Sequence, residues 1–281
     1  MRGGPDQGAR RIRPEIHGRR AARGVRSQAL HDACLRWAGF GNLRADFTGA
    51  VPRYHVSYAL SRFHVDAFLK PLSPQNATEG SVDLTANLSM QGETVRKMKQ
   101  SMEGQVSLRG KNLILNGRNL DQEFDRFESS QTFNLVDVGA FFFAGPVGLA
   151  VTKGYSFASI LQGSAGRSEI RTLVSDWKVE RGVALSQDVA IATNKNRVAL
   201  QGGLDFVNER FDDVTVVLID DKGCIRAQQT IHGAFKNPVV ENPSTLKSLT
   251  GPVVKLLKQV GSLFPGGECD VFYAGSVVPP K

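Results

Sequence analysis

Short runs of strictly alternating apolar and polar residues, separated by turn formers, constrain this chain more than any other feature. Across Ser81–Met90, Val82, Leu84, Ala86, Leu88 and Met90 interleave with Ser81, Asp83, Thr85, Asn87 and Ser89. Successive side chains of a strand point to opposite faces, so this run predicts a strand with one apolar and one wet face. Arg197–Phe206 repeats the pattern, with Val198, Leu200, Leu204 and Phe206 on one side and Arg197, Gln201 and Asp205 on the other. Shorter versions lie at His55–Leu60, Gln105–Leu108, Leu173–Val179 and Asp188–Thr193. The connections are brief: Glu180-Arg181-Gly182, Asn194-Lys195-Asn196, Asn208-Glu209-Arg210 and Asp220-Asp221-Lys222-Gly223. Loops this short join antiparallel neighbours, because a parallel crossover needs about a dozen residues or more. Asp213–Ile219 is apolar on both parities, which predicts a strand covered on both faces.

Helical periodicity interrupts the strands. Glu93–Met102 places Val95, Met98 and Met102 on one stripe, and Asn119–Phe127 does the same with Leu120, Phe124 and Phe127. Thr245–Val260 carries the longest stripe (Leu246, Leu249, Val253, Leu256, Leu257, Val260), with Lys247, Lys255 and Lys258 mostly opposite and a kink expected at Gly251-Pro252. Such stripes ordinarily cover a core; membrane-surface docking is the alternative that the lysines allow. Val138–Leu161 is apolar and glycine-rich, and reads either as a buried helical hairpin or as a surface-inserting loop. The expected fold is mainly β with short helices: a curved antiparallel sheet or half-barrel groove covered by amphipathic helices.

Charge is unevenly spread. The 281 residues carry a net +8, yet Met1–Leu30 holds eight arginines against two acids, so most of the excess belongs to this stretch. The rest of the chain is nearly neutral, and nucleic acid is not an expected partner, since it requires cations along a face that tracks phosphates. No run reaches the roughly 20 apolar residues of a membrane span. The closest, Val138–Val151, is broken by Gly145-Pro146 and Gly148. No apolar stretch follows the N-terminal arginines, so no secretory signal is read there. The three cysteines, Cys34, Cys224 and Cys269, show no CxxC spacing and no histidine cluster, and no metal site is expected. Cys224 and Cys269 read equally as one bridge or as two separate thiols.

Enzyme constellations are missing from the pattern. Gly163-Ser164-Ala165-Gly166 has the wrong order for a nucleophile elbow. Gly104 to Lys111 is one residue too long for a phosphate-binding loop, and Asn112 stands where Ser or Thr is needed. Gly39-Phe40-Gly41 is followed by Arg44 where a dinucleotide fingerprint needs glycine. His17 and His31 lie in or beside the arginine-rich stretch, and His55, His64 and His232 sit on strand-like sequence without clustered carboxylates. Asn76-Ala77-Thr78 and Asn87-Leu88-Ser89 match a glycosylation triplet that is frequent by chance. A non-enzymatic protein without cofactor is the expectation.

Four segments, in order, resemble the C-terminal region of AsmA-family proteins of Gram-negative envelopes. Glu103–Asp121 (EGQVSLRGKNLILNGRNLD) is similar to that family's glycine-opened strand, Asn-rich connection and helix start. Gly80-Ser81-Val82-Asp83-Leu84 through Gly92 resembles the alternating strand that precedes it. Ile231-His232-Gly233-Ala234-Phe235-Lys236-Asn237-Pro238 looks like the family's strand end, with Ala234 in place of the usual Thr. The stretch from Gly251-Pro252-Val253-Val254-Lys255-Leu256-Leu257 to Gly266-Gly267-Glu268-Cys269 is similar to AsmA tails. The likeness runs from about Leu43 to Pro279.

Family members typically begin with a membrane-spanning signal anchor and a long β-rich region, neither of which this chain carries. It therefore reads as a C-terminal portion: residues 1–42 an atypical or disordered arginine-rich tail, residues 43–281 an AsmA-like β-rich domain. The resemblance implies a periplasmic, inner-membrane-associated location, and that compartment favours a Cys224–Cys269 bridge. It further implies a curved sheet whose apolar concave face carries phospholipid acyl chains, contributing to phospholipid transport and outer-membrane maintenance. The implied partners are acyl chains together with the inner-membrane surface or envelope proteins. Each buried methylene contributes about 0.8 kcal/mol, so a long acyl chain would gain roughly 10 kcal/mol before entropy costs. The groove candidates are Val82, Leu84 and Leu88, then Val106 and Leu108, then Trp177 and Val179, and finally Val198, Leu200, Leu204 and Phe206. A charge at Leu84 or Leu200 that leaves the fold intact is expected to abolish carriage but spare partner binding. The other role associated with the family is an interaction module regulating the targeting or assembly of outer-membrane proteins, which would use the wet strand faces and the loops. The remaining alternative is that the apolar faces pack on the helical segments and leave no groove.

Overall fold

The computed structural model describes residues 25–26, 39–66, 78–130, 135–136, 138, 166–245, 269 and 271–280. Its strands run β1 (Val25–Arg26), β2 (Gly39–Asp46), β3 (Arg53–His64), β4 (Thr78–Glu79), β5 (Ser81–Gln91) and β6 (Glu103–Asn116). They continue as β7 (Arg167–Glu180), β8 (Val183–Ala192), β9 (Arg197–Asp205), β10 (Arg210–Ile219), β11 (Ile225–Ala234), β12 (Asn237–Val240) and β13 (Ser244–Thr245). Helix α1 spans Val95–Gln100 and α2 spans Leu120–Ser130. Together the strands form one 13-stranded sheet in which spatial order follows chain order, except that β4 pairs with β6 and β13 with β11. Every pairing is antiparallel, as the short turns require, and the described sheet is open rather than closed into a barrel. It reaches further toward the N-terminus than residue 43, since β2 starts at Gly39 and Val25–Arg26 pairs with Arg44–Ala45.

Turn chemistry fixes the register. At the β7–β8 hairpin Arg181 and Gly182 both take positive φ (48° and 80°), the geometry that matches the twist of a two-residue connection. A Cβ on Gly182 would also lie 2.2 Å from the Lys99 carbonyl, so only glycine fits. Main-chain bonds then stitch one end of the sheet together. The N–H of Gly92 donates to the carbonyl of Pro52, that of Gly182 to Met102, that of Phe206 to Gly182 and that of Phe235 to Glu209. We call this the hairpin end.

The opposite end is the helix end. Helix α2 begins where Asn119 Oδ1 accepts the Gln122 N–H at 3.1 Å, with Asp121 and Glu123 in the favourable first turn. Its Leu120, Phe124 and Phe127 are buried against Leu113, Leu115 and Ile170 in one cluster, together with Leu135, Val136 and Val138. The stripe expected at Asn119–Phe127 therefore packs on the sheet. Helix α1 corrects the matching expectation for Glu93–Met102. It is six residues long, capped by Thr94, and none of its residues is buried. Val95 points to solvent at 71% exposure. Thr245 belongs to β13 rather than opening a helix. The rest of the stripe expected at Thr245–Val260 lies outside the described residues, as does Val138–Leu161 apart from the buried Val138.

Candidate functional site

The antiparallel register lines up apolar side chains into rows that cross the sheet. Nearest the helix end, Phe63, Val82, Gly110, Leu173, Ile191, Val198, Leu218 and Ala227 oppose one another in succession from β3 to β11. A second row links Leu60, Leu84, Leu108, Ser175 and Val189. A third links Tyr58, Ala86, Val106 and Trp177. Nearest the hairpin end, Leu43, Val56, Leu88, Gly104, Val179, Ala184, Leu204 and Phe211 form a fourth. Cross-strand neighbours of this kind are the unit of sheet stabilisation.

All eleven sequence candidates fall on this face and in one cluster, but they differ in access. Val82, Leu84, Leu108, Trp177, Val179, Val198, Leu200 and Leu204 are buried, whereas Leu88, Val106 and Phe206 are only partly buried. Leu84 and Leu200 are thus core positions, and a charge there would cost the fold itself, so these two sites do not meet the condition of an intact fold. Accessible apolar surface concentrates toward β2–β6 at the hairpin end, where Val56, Tyr58, Leu88 and Val106 are half-buried. Along the fourth row Leu43 is exposed at 47%, Val56 and Leu88 are half-buried, and the row is buried from Val179 to Phe211.

Several buried polar groups within the apolar face are hydrogen-bonded. The indole N–H of Trp177 donates to Ser175 Oγ at 2.7 Å. Ser168 Oγ accepts the Leu120 N–H and donates to the Arg118 carbonyl, both at 2.7 Å. Gln229 accepts the Val136 N–H at 3.2 Å and donates to the Glu241 carbonyl at 3.1 Å, tying the helix-end cover to β11. Burial raises the Glu123 carboxyl above its ordinary range, against the opposing pull of Arg118 at 3.4 Å and of Arg126.

The opposite face of the sheet divides in two. Over β3–β6 it is polar, with Ser57 donating to Asn87 at 2.7 Å and Arg109 paired with Asp176. Over β7–β10 it is apolar, because Val174, Ala190, Ala192, Ala199, Val217 and Ile219 cluster beneath Tyr273 and Val277. The two-sided apolar character read at Asp213–Ile219 belongs here: Val214, Val216 and Leu218 face the main core while Val217 and Ile219 face this second cluster.

Residues 271–280 form a strap over that second cluster. Cys224 and Cys269 are joined by a disulfide closing a 45-residue separation, with Cα atoms 5.9 Å apart. The Gly223 carbonyl accepts the N–H groups of Phe272 and Tyr273. Tyr273 Oη donates to Asp188 at 2.5 Å, and the Ser276 N–H and hydroxyl donate to the same carboxylate at 3.0 and 2.6 Å. Burial works to raise the Asp188 carboxyl, but the Ser276 hydroxyl, the Tyr273 phenol and the Ser276 N–H together hold it below the ordinary carboxylate range. Burial and the Asp188 partner push the Tyr273 phenol up, keeping it a donor. The buried Arg197 guanidinium donates to the carbonyls of Val277, Asp220 and Asp221. Sequence reading missed this strap, whose one visible signal was the spacing of the two cysteines.

Among the described residues no group of three or more His, Cys, Asp or Glu gathers as a metal would require. Nor is any described helix long and apolar enough to cross a membrane. Comparison with family models, with curated proteins and with solved structures gave no match.

Proposed function

We propose that the chain is a non-enzymatic, AsmA-like envelope protein whose apolar sheet face carries phospholipid acyl chains in support of outer-membrane maintenance. The observation that carries this reading is the continuous apolar face running from β3 to β11 of an open sheet, half-buried toward β2–β6. An open sheet with such a face must cover it with protein or with lipid. At the helix end protein covers it. Around Val56, Tyr58, Leu88 and Val106 an acyl chain would complete the cover, and the sheet would curve about it as a half-barrel groove. The Cys224–Cys269 bridge supports an oxidising address such as the periplasm.

Lipid extraction and mass spectrometry of the gently purified protein tests the reading. Phospholipid should accompany the wild type and be lost from Leu88→Asp/Val106→Asp with the far-UV circular dichroism unchanged. A lipid-free wild type would overturn it. The second reading, a module for outer-membrane protein targeting, draws on the edge of β2. Beyond the two-residue β1, the Gly39–Leu43 stretch has no outer strand partner among the described residues. It predicts that Leu88→Asp/Val106→Asp leaves partner binding intact.

A further inference from the structure

The hairpin end carries exposed apolar side chains that the core does not explain. The loop 47–52 joining β2 to β3 reads Phe47-Thr48-Gly49-Ala50-Val51-Pro52, with Phe47 exposed at 64% and Val51 at 45%. The loop is ordered by its own bonds. Asp46 accepts the Thr48 N–H at 2.9 Å and its hydroxyl at 2.7 Å, while the Phe47 ring meets Tyr54 edge-on at 6.0 Å between centroids. The Gly92 N–H donates to the Pro52 carbonyl at 3.0 Å, setting α1 and its exposed Val95 beside the loop.

Cations frame this apolar tip. Lys97 pairs with Glu93 and Lys99 with Glu209; the Thr48 hydroxyl and N–H, and after them Arg53 and Arg44, hold the Asp46 carboxyl below its ordinary range, and Arg96 is exposed on α1. Arg44 and Arg53 line an open cleft of about 500 Å³ with His55, Ser89 and Ser101; Asp46, already engaged by Thr48, and Glu103 also reach it. Exposed Phe and Val on a fixed tip, with the exposed Arg96 and with Arg44 and Arg53 at the same end of the sheet, match a bilayer interface: rings at the acyl boundary, arginines at phosphate height. A groove for a protein chain would instead present a concave apolar surface, whereas this one projects.

We infer that the β2–β3 tip and α1 form a docking lip for an anionic phospholipid bilayer. The lip lies at the same end of the sheet as the half-buried Leu88 and Val56, so that, on the acyl-chain reading, lipid would pass between bilayer and sheet there. Docking itself does not depend on carriage.

Sedimentation of the whole protein with vesicles of phosphatidylcholine, or of an equimolar mixture with phosphatidylglycerol, tests the inference. Wild type should bind the anionic vesicles at least about tenfold more tightly than the neutral ones. Phe47→Ser/Val51→Ser should lose about tenfold or more while unfolding at the wild-type temperature, since both sites are exposed. In Phe47→Trp, the tryptophan emission should shift to the blue on anionic vesicles. Binding that survives Phe47→Ser/Val51→Ser, as it would if the N-terminal arginines carried it, overturns the inference, and so does a wild type that ignores both vesicles and binds only a protein partner. Docking by a lipid-free wild type would uphold the lip while removing the carriage reading. A lipid-loaded protein that fails to dock would do the reverse.

Discussion

Strands β7–β10 and strands β2–β6 belong to one sheet and follow one alternation, yet they are finished differently. The first group is closed on both sides: Ile191, Val198 and Leu218 are buried in the main core, while Ala190, Ala199 and Val217 lie beneath the disulfide-pinned strap. The second group has a polar outer face and, on the inner one, half-buried Val56, Tyr58, Leu88 and Val106. Packing of the first kind leaves a ligand nothing to gain, because its apolar area is already out of water. On the inner face, the second group retains the half-buried apolar surface that an acyl chain could remove from water. The division therefore assigns scaffold and candidate site to different halves of one element.

The comparison breaks most readily at its closed half. Leu218→Ala should cost about 2–5 kcal/mol in denaturant unfolding, since the residue is wholly buried. Leu88→Ala in the open half should cost no more than about 1–2 kcal/mol, and equal losses would erase the distinction. Removing the bridge with Cys224→Ser/Cys269→Ser should cost about 2–4 kcal/mol, with the helix and strand signal retained. Loss of the whole fold in that variant would make the strap part of the nucleus rather than a cover.

A smaller effect should come from Asp188. Its folded carboxyl is held below the ordinary value, so its contribution is complete above the unfolded value near pH 4 and is lost as pH falls through the folded one. Asp188→Asn should therefore cost about 1–2 kcal/mol at pH 7, solvent screening included, and flatten the acid limb of a stability–pH profile. An unchanged limb would remove Asp188 from the strap's anchoring. Phe47→Ser, exposed at the tip, should stay within about 0.5 kcal/mol of wild type in thermal unfolding.

How far the sequence showed this division depends on the residue. The alternation of Ser81–Met90 placed β5 and its faces directly, and the double parity of Asp213–Ile219 announced a strand closed on both sides. Bulges hid other members. Tyr58 and Leu60 share a face with Phe63 only because the register shifts between Leu60 and Phe63, with Arg62 at φ 50°. The stripes at Glu93–Met102 and Asn119–Phe127 look alike, yet one helix is buried and the other is not. Periodicity defines a face, not whether a surface waits to receive it. The half-buried standing of Leu88 against the buried Leu84, four residues away, was likewise illegible. It depends on what lies across the face, and alternation along a strand says nothing of that.

Acyl chains should meet the open half of the sheet and not the closed one. The most direct measurement is photocrosslinking of the whole protein with a phospholipid bearing a photoactivatable acyl chain, read by peptide mass spectrometry. Adducts should fall on β3–β6, around Val56, Tyr58, Leu88 and Val106, and spare Val198 and Leu200 of β9. Adducts centred on β9–β10, or none above a soluble control probe, would contradict it.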